Sequence, residues 1–108
     1  MPYILCMVFI EAPTFSKYVY DYLDDESYSA LQQALVLRPE AGKIIPGSGG
    51  LRKIRWAGSG RGKRGGLRII YYWLREDGQV WLLTIHAKNE AENIPSSVLK
   101  LIRKEMEK

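Results

Sequence analysis

The stretch Leu67-Arg68-Ile69-Ile70-Tyr71-Tyr72-Trp73-Leu74-Arg75-Glu76-Asp77-Gly78-Gln79-Val80-Trp81-Leu82-Leu83-Thr84-Ile85-His86-Ala87-Lys88 decides how the chain is read. Two runs rich in β-branched and aromatic residues, Leu67–Arg75 and Gln79–Lys88, flank Asp77-Gly78. Aspartate and glycine both tolerate positive φ, so the stretch predicts a hairpin of two antiparallel strands. Leu51–Trp56 predicts a strand before it, and the loop Ala57–Gly66 is short enough to join antiparallel neighbours.

Working outward, Pro46, Gly47, Gly49 and Gly50 predict that Glu40–Gly50 is a connector without regular structure. Upstream of it, Thr14 suits a helix cap, and Phe15, Tyr18, Val19, Tyr22 and Leu23 follow the spacing of one buried helical stripe. Asp24 or Asp25 caps a second helix carrying Tyr28, Leu31 and Leu35, which must stop by Arg38 because Pro39 disfavours a helical residue before it. Tyr3–Ile10 is an apolar, partly β-branched run and predicts a buried strand. At the other end, Ser96 or Ser97 caps a helix with Leu99, Ile102 and Met106 as its stripe. The order β-α-α-β-β-β-α predicts an α+β fold: a four-stranded antiparallel sheet with helices on one face.

A chain of 108 residues with 46% apolar composition builds one core, so residues 1–108 are expected to form a single domain. Cys6 is the lone cysteine, which excludes an intramolecular disulfide and fits a small buried side chain. No basic residue precedes Tyr3–Ile10, which argues against a signal peptide. No apolar run approaches the roughly 20 residues that span a bilayer. A soluble, cytoplasmic protein is expected.

The net charge of +4 conceals a sorting of charges along the chain. Ala41–Arg75 holds nine basic residues and no acid, whereas all twelve acids lie outside it. An acid-free basic block implies a polyanionic partner. Alternation across strands then sorts the side chains. Lys53 and Arg55 share one face, opposite Ile54 and Trp56; Arg68 lies in line with Ile70 and Tyr72, opposite Leu67, Ile69, Tyr71 and Trp73. Thr84, His86 and Lys88 share a face opposite Trp81, Leu83, Ile85 and Ala87. One sheet face is thus apolar, and the other gathers Lys53, Arg55, Arg68, His86 and Lys88.

That cluster suits metal-free RNA cleavage. The reaction needs a base for the 2′-hydroxyl, cations for the charged phosphorane and an acid for the departing 5′-oxygen. His86, the only histidine, suits either proton role near neutrality. Arg68 stays charged and grips a phosphate in a bidentate manner. Lys53, Arg55 and Lys88 hold the backbone, or share the role of His86 if cationic neighbours depress a lysine pKa. No second histidine, cysteine pair or acid among these residues supplies a metal site, and no cofactor is implied. Gly60-Arg61-Gly62-Lys63-Arg64-Gly65 matches G-x-G-x-x-G formally, but a strand rather than a helix follows, so dinucleotide binding is rejected. A glycine-spaced arm bearing Arg61, Lys63 and Arg64 suits contact with RNA phosphates.

These same residues carry a family resemblance. Gly50-Leu51-Arg52-Lys53-Ile54-Arg55, Gly60–Gly66, Arg68-Ile69-Ile70-Tyr71-Tyr72 and Leu82–Glu90 resemble the HigB branch of the RelE superfamily. Phe9-Ile10-Glu11 and Phe15-Ser16-Lys17-Tyr18 resemble it more weakly. The resemblance implies a microbial RNase-like fold and a toxin of a type II toxin–antitoxin pair that cleaves mRNA within codons on the ribosome. It implies neutralisation by a cognate HigA-like antitoxin, often with a helix-turn-helix. The family's phosphate-stabilising arginine matches Arg68, its basic pair matches Lys53 and Arg55, and Arg52 is assigned with Arg61, Lys63 and Arg64 to RNA or ribosome contact. Where the HigB-like pattern often has tyrosine after Ile85, this chain has His86, which leaves base, acid or base-stacking group open. Two other readings compete: a non-catalytic RNA- or ribosome-binding translation inhibitor, and an inactive relic that still binds an antitoxin.

Overall fold

The computed structural model describes residues 7–57 and 66–87, together with Leu101 and Lys104. Its elements run β1 (Val8–Glu11), α1 (Pro13–Tyr22), α2 (Asp25–Leu37), β2 (Lys43–Ile44), β3 (Arg52–Trp56), β4 (Leu67–Leu74), a 3-10 turn (Arg75–Asp77) and β5 (Gln79–Ala87). The C-terminal helix expectation falls outside the described residues, apart from Leu101 and Lys104, both helical. Among the described residues no helix is long and apolar enough to cross a membrane.

The α+β class stands, with two corrections to the sheet. It has five strands in the order β1-β5-β4-β3-β2 rather than four, and β1 lies parallel to β5 rather than antiparallel. The extra strand falls inside the connector, where Lys43-Ile44 precedes the proline and glycines and pairs with Arg52-Lys53. Two hydrogen bonds extend the β1 pairing: Val8 N–H to the Gly78 carbonyl at 3.0 Å and Ala12 N–H to the Leu82 carbonyl at 2.9 Å.

Both helices pack on one face of the sheet. Phe15, Val19 and Leu23, then Tyr28, Leu31 and Leu35, meet Leu67, Ile69, Tyr71, Val80, Leu82 and Ile85 in one buried cluster. Tyr18 departs from the expected stripe, being 40% exposed, with the Lys17 ammonium 5.3 Å from its ring centroid. Nor is Thr14 the cap of α1. The helix starts two residues earlier, on Pro13, whose fixed φ suits the first helical position, with Ala12 as the cap residue. Asp24 does cap α2, accepting a 2.8 Å hydrogen bond from Ser27 N–H.

The helices are tied to the sheet at Glu11. Its carboxylate accepts hydrogen bonds from the Ser16 hydroxyl at 2.5 Å and from the Tyr28 hydroxyl. At the other end of the hairpin the turn is longer than Asp77-Gly78 alone. The strand stops at Leu74, a 3-10 turn follows, and Gly78 takes the left-handed conformation with φ 64°.

Candidate active site

The register of the three central strands decides the site. Arg55 pairs with Arg68, and Arg68 pairs with His86, so the three lie in one row across β3, β4 and β5. With strands about 4.8 Å apart, the row spans about 10 Å on the face opposite the helices. Arg68 and His86 are 5% and 9% exposed, and Arg55 is exposed. A second row runs parallel to the first. Lys43 pairs with Lys53, Lys53 with Ile70, and Ile70 with Thr84. The Thr84 hydroxyl is buried without a hydrogen-bond partner among the described residues.

The remainder of this face is apolar. A bulge between Ile70 and Tyr71 inserts one extra residue in β5, because Ile70 pairs with Thr84 while Tyr71 pairs with Leu82. The bulge overturns the expected alternation. Leu83 packs with Leu51 and Ile70 on the site face, against Trp81, Tyr72, Ile45 and Ala12, whereas Ile85 and Ala87 remain on the helix face. The cations therefore occupy one end of the face and a small apolar cluster the other.

No protein-family model matches the chain. Among solved structures, the E. coli toxin RelE in its free state, a mutant with two arginines replaced by alanine, superposes with a TM-score of 0.60. The match covers 90% of this chain and 96% of that one at 16% sequence identity. The fold is that of RelE.

Within this RelE-like fold the sequence-predicted residues divide three ways. Lys53, Arg55, Arg68 and His86 come together on one face, as their strand positions require. Arg52 faces the helix side, and its guanidinium donates to the Glu40 and Gly42 carbonyls at 3.1 and 2.8 Å. These bonds tie it to the chain that follows α2. Arg61, Lys63, Arg64 and Lys88 lie outside the described residues, as does Cys6.

The RelE-like sheet also places a residue that the sequence reading passed over. Lys43 joins the face beside Lys53 because β2 forms where glycine and proline content masked a strand. Its one sequence signal was membership of the acid-free basic block. Among the described residues, Lys43, Lys53 and Arg55 have no ion pair. Nor do three His, Cys, Asp or Glu side chains converge on any point among those residues. A cavity of about 600 Å³ lined by Tyr72, Trp73, Leu74, Arg75 and Glu76 lies at the hairpin end of the sheet, away from the Arg55–Arg68–His86 row.

Proposed function

We propose that this chain is the toxin of a type II toxin–antitoxin pair and a metal-independent endoribonuclease that cleaves mRNA on the ribosome. The observation that carries the reading is the in-register row Arg55–Arg68–His86 on the face of a RelE-like sheet opposite the helices. In the proposed reaction the 2′-oxygen of one ribose attacks the adjacent phosphorus and loses its proton to a base. The P–O5′ bond breaks, and the 5′-oxygen takes a proton from an acid. Arg68 stabilises the charge that builds on the phosphorane oxygens, an effect worth about 10²–10³ in rate for one well-placed donor. Lys53 and Arg55 hold the flanking phosphates. His86 is the group in the row able to carry a proton near neutrality. Lys88 is proposed to assist the reaction, with Arg52, Arg61, Lys63 and Arg64 gripping RNA or the ribosome.

The partners follow from the same reading: mRNA, the ribosome, and a HigA-like antitoxin that covers the basic face or blocks ribosome entry, in the cytoplasm. The burial of Arg68 and His86 favours a second reading, in which the face binds RNA or the ribosome without cutting. Mapping mRNA 5′ ends after adding the protein, with and without programmed ribosomes, separates the two. New ends that need both the ribosome and Arg68 support the nuclease. Intact mRNA with blocked translation supports the binder.

A further inference from the structure

We propose that Lys43 and Lys53, paired across β2 and β3, form a phosphate-binding subsite that holds single-stranded RNA beyond the Arg55–Arg68–His86 row. This rests on the RNA-cleaving reading of the same face and extends it to a residue on β2, the edge strand beside the row.

The case begins with how firmly so short a strand is held. β2 has two residues, and both side chains are exposed, so burying them contributes nothing to the core. Yet its backbone is fixed at both ends. Before it, Gly42 N–H donates to the Tyr71 hydroxyl at 2.8 Å, and the Gly42 carbonyl accepts from Arg52 at 2.8 Å. After it, Ile45 N–H donates to the Leu51 carbonyl at 2.8 Å, and the buried Ser48 hydroxyl donates to the Ile45 carbonyl at 2.6 Å. The fold thus specifies the position of a lysine that buries no apolar surface.

The position itself is electrostatically unfavourable. Lys43 and Lys53 are direct cross-strand partners, and like charges placed opposite one another destabilise a sheet. Neither has an acidic partner among the described residues. A bound phosphate would relieve the repulsion. A single file then runs from His86 through the cations Arg68 and Arg55 to Lys53 and Lys43. It crosses three strand spacings, about 14 Å. A track one side chain wide follows one nucleic-acid backbone, and a duplex would offer it two.

The test uses the full chain and a short 2′-O-methyl oligoribonucleotide, whose blocked 2′-oxygen prevents cleavage, with affinity measured across a potassium chloride series. Each single-strand phosphate neutralised contributes about 0.7 to the slope of log K against log salt. Lys43→Gln and Lys53→Gln are each expected to lower the slope by about 0.7, and the double variant by about 1.4. Lys17→Gln, on α1 across the sheet, is expected to leave it unchanged, with circular dichroism confirming that all variants fold. A wild-type slope for Lys43→Gln, alongside reduced slopes for Lys53→Gln and Arg55→Gln, overturns the subsite and leaves the RNA-face reading standing. An equal fall for Lys17→Gln overturns it as a net-charge effect, and tighter binding of the matching duplex overturns the single-strand assignment. Wild-type slopes for Lys43→Gln, Lys53→Gln, their double variant and Arg55→Gln, or no binding by the wild type, remove both the subsite and the RNA-face reading.

Discussion

Arg68 and His86 are direct cross-strand partners on β4 and β5, with Arg55 completing the row on β3. The pairing puts a permanent cation beside the one imidazole of the chain. Phosphodiester cleavage needs both functions at one phosphorus. Rigid central strands supply that adjacency better than loops, because their positions are set by two ladders of backbone hydrogen bonds.

Arg68→Lys is expected to keep the fold and the charge but lose the planar, bidentate grip on phosphate oxygens. Under the proposed function, cleavage should fall about 10²–10³-fold, read from the yield of new mRNA 5′ ends. Arg68→Ala should fall at least as far. Cleavage at the wild-type rate in both variants would remove Arg68 from the mechanism.

His86→Asn is expected to lower cleavage about 10²–10⁴-fold and to flatten the rate profile between pH 5 and 8, if His86 moves a proton. His86→Phe distinguishes the alternative. Should His86 act by stacking on a base, the aromatic ring restores most of the rate and the pH profile keeps its wild-type shape.

Gly42→Ala is expected to destabilise the fold by about 1–3 kcal/mol, the usual penalty for overpacking. A Cβ at Gly42 would lie 2.8 Å from Tyr71 Cε1, 2.9 Å from its hydroxyl and 3.1 Å from the Lys53 carbonyl. Tyr71 is fully buried and cannot swing aside. Its hydroxyl also donates to the Pro39 carbonyl at 2.7 Å, so the added methyl disturbs two hydrogen bonds. Thermal unfolding checks this: an unchanged midpoint would show that the Gly42–Tyr71 contact is not close-packed.

Stability is expected to fall on the alkaline side. Burial, then the hydrogen bond to Glu11, pushes the Tyr28 hydroxyl above its ordinary value of 10.0, and burial pushes up Tyr71. Above about pH 10 the unfolded chain releases these protons while the folded chain keeps them. The folded state therefore holds more protons, and stability declines as pH rises from there; below it, these groups add no pH dependence. Tyr28→Phe should shallow the decline in urea midpoints between pH 9 and 11. An equally steep decline in the variant would assign the effect elsewhere.

Much of the site was legible because strand alternation is local. Lys53 with Arg55, and Arg68 in line with Ile70, follow from counting along single strands, and the structure places them so. His86 fell on the predicted face although the alternation broke upstream of it. The bulge at Leu83 reversed Trp81 and Leu83 but left Thr84 and His86 in step with Ile70 and Arg68. What the sequence did not show for Arg52 is that its guanidinium donates to carbonyls that follow α2, because that contact joins distant segments.

The sequence alone determined the local terms: the three central strands, most of the buried helix stripes, the turn at Gly78, and an acid-free block of cations that includes Lys53, Arg55 and Arg68 of the central strands. These follow from side-chain periodicity and from backbone preferences of single residues. Only the tertiary structure decided that β1 runs parallel to β5, that Lys43-Ile44 is a strand, that β5 carries a bulge, and that Arg55, Arg68 and His86 share one row. Each of these is a choice of partner and register between distant segments. It is made by backbone hydrogen bonds, whose donors and acceptors are the same in nearly every residue and so leave little trace in the order of side chains.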